Sequence, residues 1–175
     1  MLSLGADLSL TGTGIVVLDD GKLVMQDSIK SKKDGDKPSD EIARLRGIVK
    51  RVMAFVDEHN PEVVVLEGIA FMSRNTTSLA QLAGLNYMVR DSLVDRGIDF
   101  LVVAPTSLKK YVTGAGNSSK DIMMLETYKR FGVSILDNNI CDAYGLAQVG
   151  LAATDEDYKT TKFQDEVISL LRKQQ

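Results

Sequence analysis

Three carboxylates in distant parts of the chain have the residue types of a metal site. Asp7 follows a short apolar start, Glu67 directly follows the apolar run VVVL, and Asp142 lies in an apolar segment rich in small residues. Each has an ordinary alternative: Asp7 a turn residue, Glu67 the start of a loop, Asp142 a solvent-facing side chain. A carboxylate that faced the core from the Asp142 segment would be energetically expensive unless it had a partner. We interpret the three carboxylates as candidate ligands that converge in the fold.

Two further oxygen-bearing side chains precede Asp142. Asn139 lies three residues earlier and shares nearly the same face of a helix. Asp137 lies five residues earlier, roughly 140° round a helix that turns about 100° per residue, and has the features of an N-cap. Asn139 is therefore the stronger candidate for an additional metal ligand and Asp137 the weaker one.

Oxygen ligands select a hard cation. His59 is the only histidine, so a mechanism that needs a histidine base plus histidine metal ligands is nearly excluded. Clustered carboxylates favour Mg²⁺ or Mn²⁺ over zinc, and a bound ion would relieve their mutual repulsion. Such a site suits two-metal phosphoryl transfer, in which one ion lowers the pKa of the attacking water and the other stabilises the leaving oxygen.

The elements that must position these residues follow the order β-β-β-α-β-α-β and then helices. Alternating and apolar stretches predict strands at 3–8, 14–19, 22–29, 61–68 and 99–105. Three antiparallel strands followed by βαβαβ predict an α/β domain with a mixed five-stranded sheet and helices on both faces. Asp7 is expected in the middle of the first strand. If that strand lies beside the fourth, Asp7 and Glu67 come close together.

Composition limits the classes of protein. The chain has 175 residues, 44% of them hydrophobic and 26% charged, which predicts a single folded domain over 1–175. Neither a membrane-length apolar run nor a signal peptide is visible, and Cys141 is the lone cysteine, so we expect a cytoplasmic protein with no membrane partner.

The net charge and the local charge clusters point in opposite directions on whether the protein binds nucleic acid. The net charge of −3 argues weakly against such a ligand, because neutralising phosphates requires clustered Lys and Arg. Local clusters nevertheless occur at 29–37, 44–51, 108–110 and 128–130. The favoured interpretation of any one of them is a solvated surface face.

Four short motifs occur in order along the chain and fall in the expected elements. They are DLSLTGTG (7–14), VVVLEGIAFMSRN (63–75), APTSLKKYVTGAGNSSKDIMM (104–124) and NICDAYGLA (139–147). With Asp in the first strand, Glu ending the fourth and Asn-x-x-Asp-Ala in a late helix, the chain resembles the RuvC family of Holliday-junction resolvases, in the RNase H-like superfamily. Each motif alone is weak, whereas four in order are specific.

The resemblance implies roles for individual residues. Asp7, Glu67 and Asp142 would be metal-binding catalytic carboxylates, and Lys120 would contact the scissile phosphate or stabilise its developing charge. Phe71 would stack on bases or wedge between them, unless it is a core residue. The remaining implied DNA contacts are Arg74, Asn75, Lys109 and Lys110, in addition to Lys120 itself.

The chain departs from the family pattern at two places. The family usually has an aspartate where Asn139 stands, and a neutral amide oxygen would bind the second ion more weakly, unless Asp137 compensates. Leu8 and Ser9 stand where bacterial members tend to have Pro-Gly. We therefore interpret the chain as a divergent, phage-type member, which acts in a bacterial cell or a phage-infected host.

The implied activity is that of a Mg²⁺-dependent endonuclease. It would nick Holliday junctions, forks, flaps or other branched DNA, with two Mg²⁺ ions per site that Mn²⁺ can replace. Two symmetric nicks on one junction imply a homodimer. The alternatives are a branched-DNA-binding module with weak or no cleavage and a RuvC-like RNA-processing nuclease. A sugar-kinase or actin-like ATPase is disfavoured, because no second phosphate loop is visible.

Overall fold

The computed structural model describes residues 1–69 and 76–173. In chain order the elements are β1 (Leu2–Asp7), β2 (Gly12–Asp19), β3 (Lys22–Lys30), α1 (Pro38–His59), β4 (Val63–Glu67), α2 (Thr76–Asp95), β5 (Phe100–Val103), α3 (Pro105–Thr113), α4 (Lys120–Phe131), α5 (Asn138–Thr154) and α6 (Lys162–Arg172). The predicted order of strands and helices is confirmed.

The five strands form one mixed sheet in the order β3-β2-β1-β4-β5. β1 pairs antiparallel with β2 and parallel with β4, and Ala6 lies opposite Leu66. The carboxyl ends of β1 and β4 therefore lie side by side, as the sequence predicted. The expectation that Asp7 lies in the middle of β1 is wrong, because Asp7 is the last residue of that strand.

Each face of the sheet is covered by its own set of helices. Side chains of α1 and α2 pack on one face, over a buried cluster that includes Leu4, Ile15 and Leu66. Side chains of α3, α4, α5 and α6 pack on the other face, over Val16 and Val65 among others. Because β1 and β4 are buried on both faces, β4 is an apolar run up to Glu67, and the buried Ser3 of β1 donates a hydrogen bond to the Ala147 carbonyl.

Helix α5 lies unusually close to the sheet. A Cβ atom added to Gly5 would lie 2.0 Å from the carbonyl oxygen of Ala143, and one added to Gly14 would lie 2.1 Å from that of Asn139. Only glycine permits this approach of backbone to backbone. The contact brings the first two turns of α5, which carry Asn139 and Asp142, against the ends of β1 and β2.

Helix α5 begins at an aspartate N-cap. The Asp137 carboxylate accepts hydrogen bonds from the backbone N–H groups of Asn139 (2.9 Å) and Ile140 (3.2 Å), as its position before the apolar segment predicted. Within the described residues, none of the helices has the length and apolar character to cross a membrane.

Candidate active site

The three candidate carboxylates line one cavity at the carboxyl edge of the sheet. Asp7 reaches it from β1, Glu67 from β4 and Asp142 from α5. The cavity has a volume of about 650 Å³ and also includes Asn139, Lys109 and Lys120. Neighbouring strands lie about 4.8 Å apart, so the parallel pairing of β1 with β4 is what places Asp7 beside Glu67. We call this space the carboxylate cavity.

Asp7 and Glu67 form a coupled acidic pair. Burial is the main cause that raises the pKa of Asp7 to about 7 and that of Glu67 to about 8, and the charge of Asp142 adds to both. A hydrogen bond between the two groups lowers the pKa of Asp7 and raises that of Glu67. Both carboxyl groups therefore have pKa values above their usual range, and they titrate as a pair.

Asp142 completes the acidic set, and two lysines act on it. Burial raises its pKa to about 6, while the positive charges of Lys120 and Lys109 oppose that rise. Lys120 also lowers the pKa of Asp7, and Lys109 that of Glu67. Because all three carboxyl pKa values remain raised, burial, with charge repulsion added at Asp7 and Glu67, outweighs the two lysines.

The first turn of α5 holds the two candidates for a fourth ligand in different settings. Asn139 lines the carboxylate cavity, and its side-chain amide lies near Gly12 at the start of β2. Asp137 uses one carboxylate oxygen for the helix cap, and the other lies 3.8 Å from Lys30 Nζ. The cap favours Asn139 over Asp137 as the ligand.

Asn86 in α2 is a site residue that the sequence reasoning missed. It is 2% exposed and lines the carboxylate cavity. Its Nδ2 donates a hydrogen bond to the backbone carbonyl of Glu67 (3.1 Å), while its Oδ1 is buried with no hydrogen-bond partner. An amide among the buried apolar residues Leu85 and Val89 was the available signal, because buried polar groups need a reason.

The loop between β1 and β2 forms one wall of the carboxylate cavity through Leu8, Ser9 and Leu10. Thr13 closes this loop, since its hydroxyl donates to the Ser9 carbonyl (2.9 Å) and accepts from the Ser9 N–H (3.0 Å). The hydroxyl-rich stretch after Asp7 therefore holds a short loop in one shape beside the carboxylates.

The donor chemistry of the carboxylate cavity fits a divalent cation. Within 1–69 and 76–173, the His, Cys, Asp and Glu side chains form no group of three that is arranged to hold a metal ion. The three carboxyl groups are nevertheless largely buried, and burial raises the pKa of each. The unpartnered Asn86 Oδ1 adds a further oxygen to the cavity. A hard cation bound by the carboxylates would offset the cost of burying their charges.

The other predicted DNA contacts fall in three different situations. Lys109 and Lys120 line the carboxylate cavity. Lys110 lies outside its lining and forms an ion pair with Glu166 of α6 at 2.7 Å. The predicted contacts at Phe71, Arg74 and Asn75 lie outside the described residues.

Comparison with known proteins gives a consistent result. The model of the family described as "Crossover junction endodeoxyribonuclease RuvC" matches residues 3–149. A protein of that name from Salinibacter ruber is 28% identical over 84% of this chain and 83% of its own length. Another, from Saccharopolyspora erythraea, is 29% identical over 69% of this chain, and the match spans only 60% of that relative.

A solved structure shares the fold. Thermus thermophilus RuvC in complex with Holliday junction substrate has a TM-score of 0.69 at 21% identity, over 84% of this chain and 90% of that one. The shared fold agrees with the family match, which covers most of the chain. The chain belongs to the RuvC family of crossover junction endodeoxyribonucleases.

Proposed function

We propose that this protein is a metal-dependent endonuclease that nicks four-way junctions and other branched DNA. The observation that carries the proposal is the meeting of Asp7, Glu67 and Asp142, from three elements, with two lysines in one open cavity. Membership of the RuvC family supports the same activity. Residues 1–175 act as a single nuclease domain, and two copies form a homodimer that presents two sites to one junction.

In this proposal the carboxylates of the cavity bind metal ions and its lysines contact phosphates. Asp7, Glu67 and Asp142 would hold two Mg²⁺ ions, with Asn139 as the neutral fourth ligand; Mn²⁺ would substitute. When bound, the ions would activate the attacking water and stabilise the leaving oxygen, leaving 5′-phosphate and 3′-hydroxyl ends. Lys120, at the start of α4, would place a positive charge on the scissile phosphate. Lys109 would bind the backbone of the same strand.

A cleavage assay with labelled four-way DNA junctions and Mg²⁺ tests this function. The protein should introduce nicks that denaturing gels resolve, and Asp142→Asn should abolish them. Lys120→Met should reduce the rate by about 10²–10³-fold, the usual effect of losing one electrostatic stabiliser. Asp91→Asn is the matched control, because Asp91 is an exposed carboxylate of α2 outside the carboxylate cavity. Full cleavage by Asp142→Asn would refute the proposal.

A branched-DNA-binding module with weak or no cleavage is the second candidate. It is favoured by the neutral Asn139 in the cavity and by the absence, within the described ranges, of a ready three-residue metal group. Such a module would bind junctions without metal and release no products even with Mn²⁺. Junctions made with RNA arms, assayed in parallel, separate DNA cleavage from the activity of an RNA-processing nuclease.

A further inference from the structure

Two basic segments that are separate in the sequence meet in one groove outside the carboxylate cavity. The groove has a volume of about 410 Å³ and lies between the end of β3 and the first half of α1. Its basic lining residues are Lys30, Lys32, Arg44 and Arg51. Only Asp34 and Asp40 oppose them there, so this β3–α1 groove is positive in a chain whose net charge is −3.

Three of these cations are accessible to a ligand. Lys32 and Arg51 are exposed. Lys30 is 67% exposed, and its nearest carboxylate oxygen, on Asp137, lies 3.8 Å away. A pair as exposed as this contributes little energy, so the ammonium is available to another anion. Arg51 donates a hydrogen bond to the Lys30 carbonyl (3.2 Å), which holds its guanidinium at the end of β3.

The β3–α1 groove and the carboxylate cavity form one continuous edge. β3 runs in the same direction as β1, because both are antiparallel to β2, and Lys30 pairs with Gly12 at the start of β2. Two strand spacings, about 10 Å, separate the end of β3 from the end of β1. Arg44 joins the two spaces, since its guanidinium donates both to Ser31 Oγ and to the carbonyl of Leu10, which lines the carboxylate cavity.

We propose that the β3–α1 groove binds the phosphodiester backbone of a DNA arm, beside the strand held in the carboxylate cavity. This inference rests on the proposed function for the identity of the ligand. A separation of about 10 Å between the ends of β3 and β1 is short enough for one DNA arm to contact both the groove and the carboxylate cavity. Contacts from Lys and Arg to phosphates there fix the register of the duplex without reading its sequence.

Binding without divalent metal isolates this contact from cleavage. The affinity for a labelled four-way junction is measured in EDTA from 50 to 200 mM NaCl for the parent and for Lys32→Gln/Arg51→Gln. The matched control is Lys22→Gln/Lys50→Gln, which removes the same charge. Lys22 begins β3 at its opposite end, and Lys50 adjoins Arg51 but borders a different cavity. Thermal melting checks that all variants fold.

The Lys32→Gln/Arg51→Gln variant, which we call the groove variant, should lose two phosphate contacts. The slope of log K against log salt should become shallower by about two, and the affinity at 100 mM salt should fall by tenfold or more. Phosphate ethylation of the arm beside the cleavage position should interfere with parent binding, and this interference should vanish in the groove variant. The control should keep the parent's slope, affinity and interference pattern.

The outcomes separate the groove from the nuclease activity. The proposal that the β3–α1 groove binds DNA is overturned if the groove variant keeps the parent's slope and affinity. It is also overturned if the groove variant loses no more affinity than the control. If the parent binds junctions with a steeper salt slope than the groove variant but cuts no DNA with Mg²⁺ or Mn²⁺, the proposed DNA contact at the groove is supported and the proposed nuclease activity is refuted. A parent that binds no junction DNA overturns both.

Discussion

Asp142→Asn should stabilise the metal-free protein while it abolishes cleavage. The carboxyl of Asp142 has its pKa raised from 3.8 to about 6, mainly by burial, although Lys120 and Lys109 oppose that rise. The ionised side chain therefore costs folding free energy at neutral pH. A neutral amide of nearly the same shape removes that cost and leaves the helix around it intact.

The size of the effect follows from the two pKa values. A rise from 3.8 to about 6 corresponds to about 3 kcal/mol at pH 8, and solvent at this half-buried group reduces the expected gain to about 1–3 kcal/mol. For a domain of this length that is an increase in Tm of about 2–10 °C.

The pH dependence has a definite sign. Since the folded-state pKa is the higher one, the parent keeps this stability below pH 3.8 and loses it as the pH rises through about 6. The advantage of the variant should therefore be full at pH 8 and shrink toward zero near pH 4. Mg²⁺ should make the parent more stable than the variant. At 100 times its Kd, Mg²⁺ would stabilise the folded parent by about 2.7 kcal/mol, and it would stabilise the variant by less because one ligand is neutral.

Thermal denaturation in EDTA at several pH values, repeated with Mg²⁺, measures these effects. Asp91→Asn is again the control, and its free energy of unfolding should stay within about 0.5 kcal/mol of the parent's at every pH. A variant that is less stable than the parent at pH 8 in EDTA would refute the reasoning. So would a difference between them that does not change with pH.

Three further substitutions test the fourth ligand, the support of Glu67 and the packing of α5. Asn139→Asp should lower the Mg²⁺ concentration needed for half-maximal cleavage by about tenfold, because it adds a charge to the cavity; an unchanged or higher requirement in a metal titration would argue against Asn139 as a ligand. Asn86→Ala should lower the free energy of unfolding by about 1–3 kcal/mol, since it leaves the Glu67 carbonyl unpaired, and urea denaturation measures this loss. It should also reduce the initial rate of cleavage by about 10–100-fold. Gly5→Ala should lower the free energy of unfolding by about 3 kcal/mol or more, because its Cβ would overlap the backbone of α5. Gly84→Ala in α2 is its control: the added Cβ makes only ordinary contact there, so this change should stabilise the protein by up to about 1 kcal/mol.

Local pattern predicted most of the fold. Apolar runs, alternation and helical spacing carry information over a few residues, and they were enough for the order of strands and helices. They were less reliable at boundaries. Asp7 was expected inside β1 and instead ends it, because pairing with β4 stops at Ala6 and pairing with β2 stops one residue later, at Asp7 opposite Gly14.

Residue types alone predicted oxygen ligands and a hard cation, since His59 is the only histidine, and this stays a prediction. Two other sequence indications were confirmed. The position of Asp137 before the α5 segment predicted its role as N-cap, which is confirmed. The motif order indicated the RuvC family, and the family match confirms it.

Tertiary structure alone decided which of these residues meet. It brought Asp7 and Glu67 together as a buried acidic pair and placed Asn86 against the Glu67 carbonyl. It separated Lys110, which pairs with Glu166, from the neighbouring Lys109, and it gathered two basic segments into the β3–α1 groove. The physical reason is that such meetings depend on strand order and on the close approach of α5 to Gly5 and Gly14. Those contacts form between distant parts of the chain, whereas a sequence pattern reports only on near neighbours.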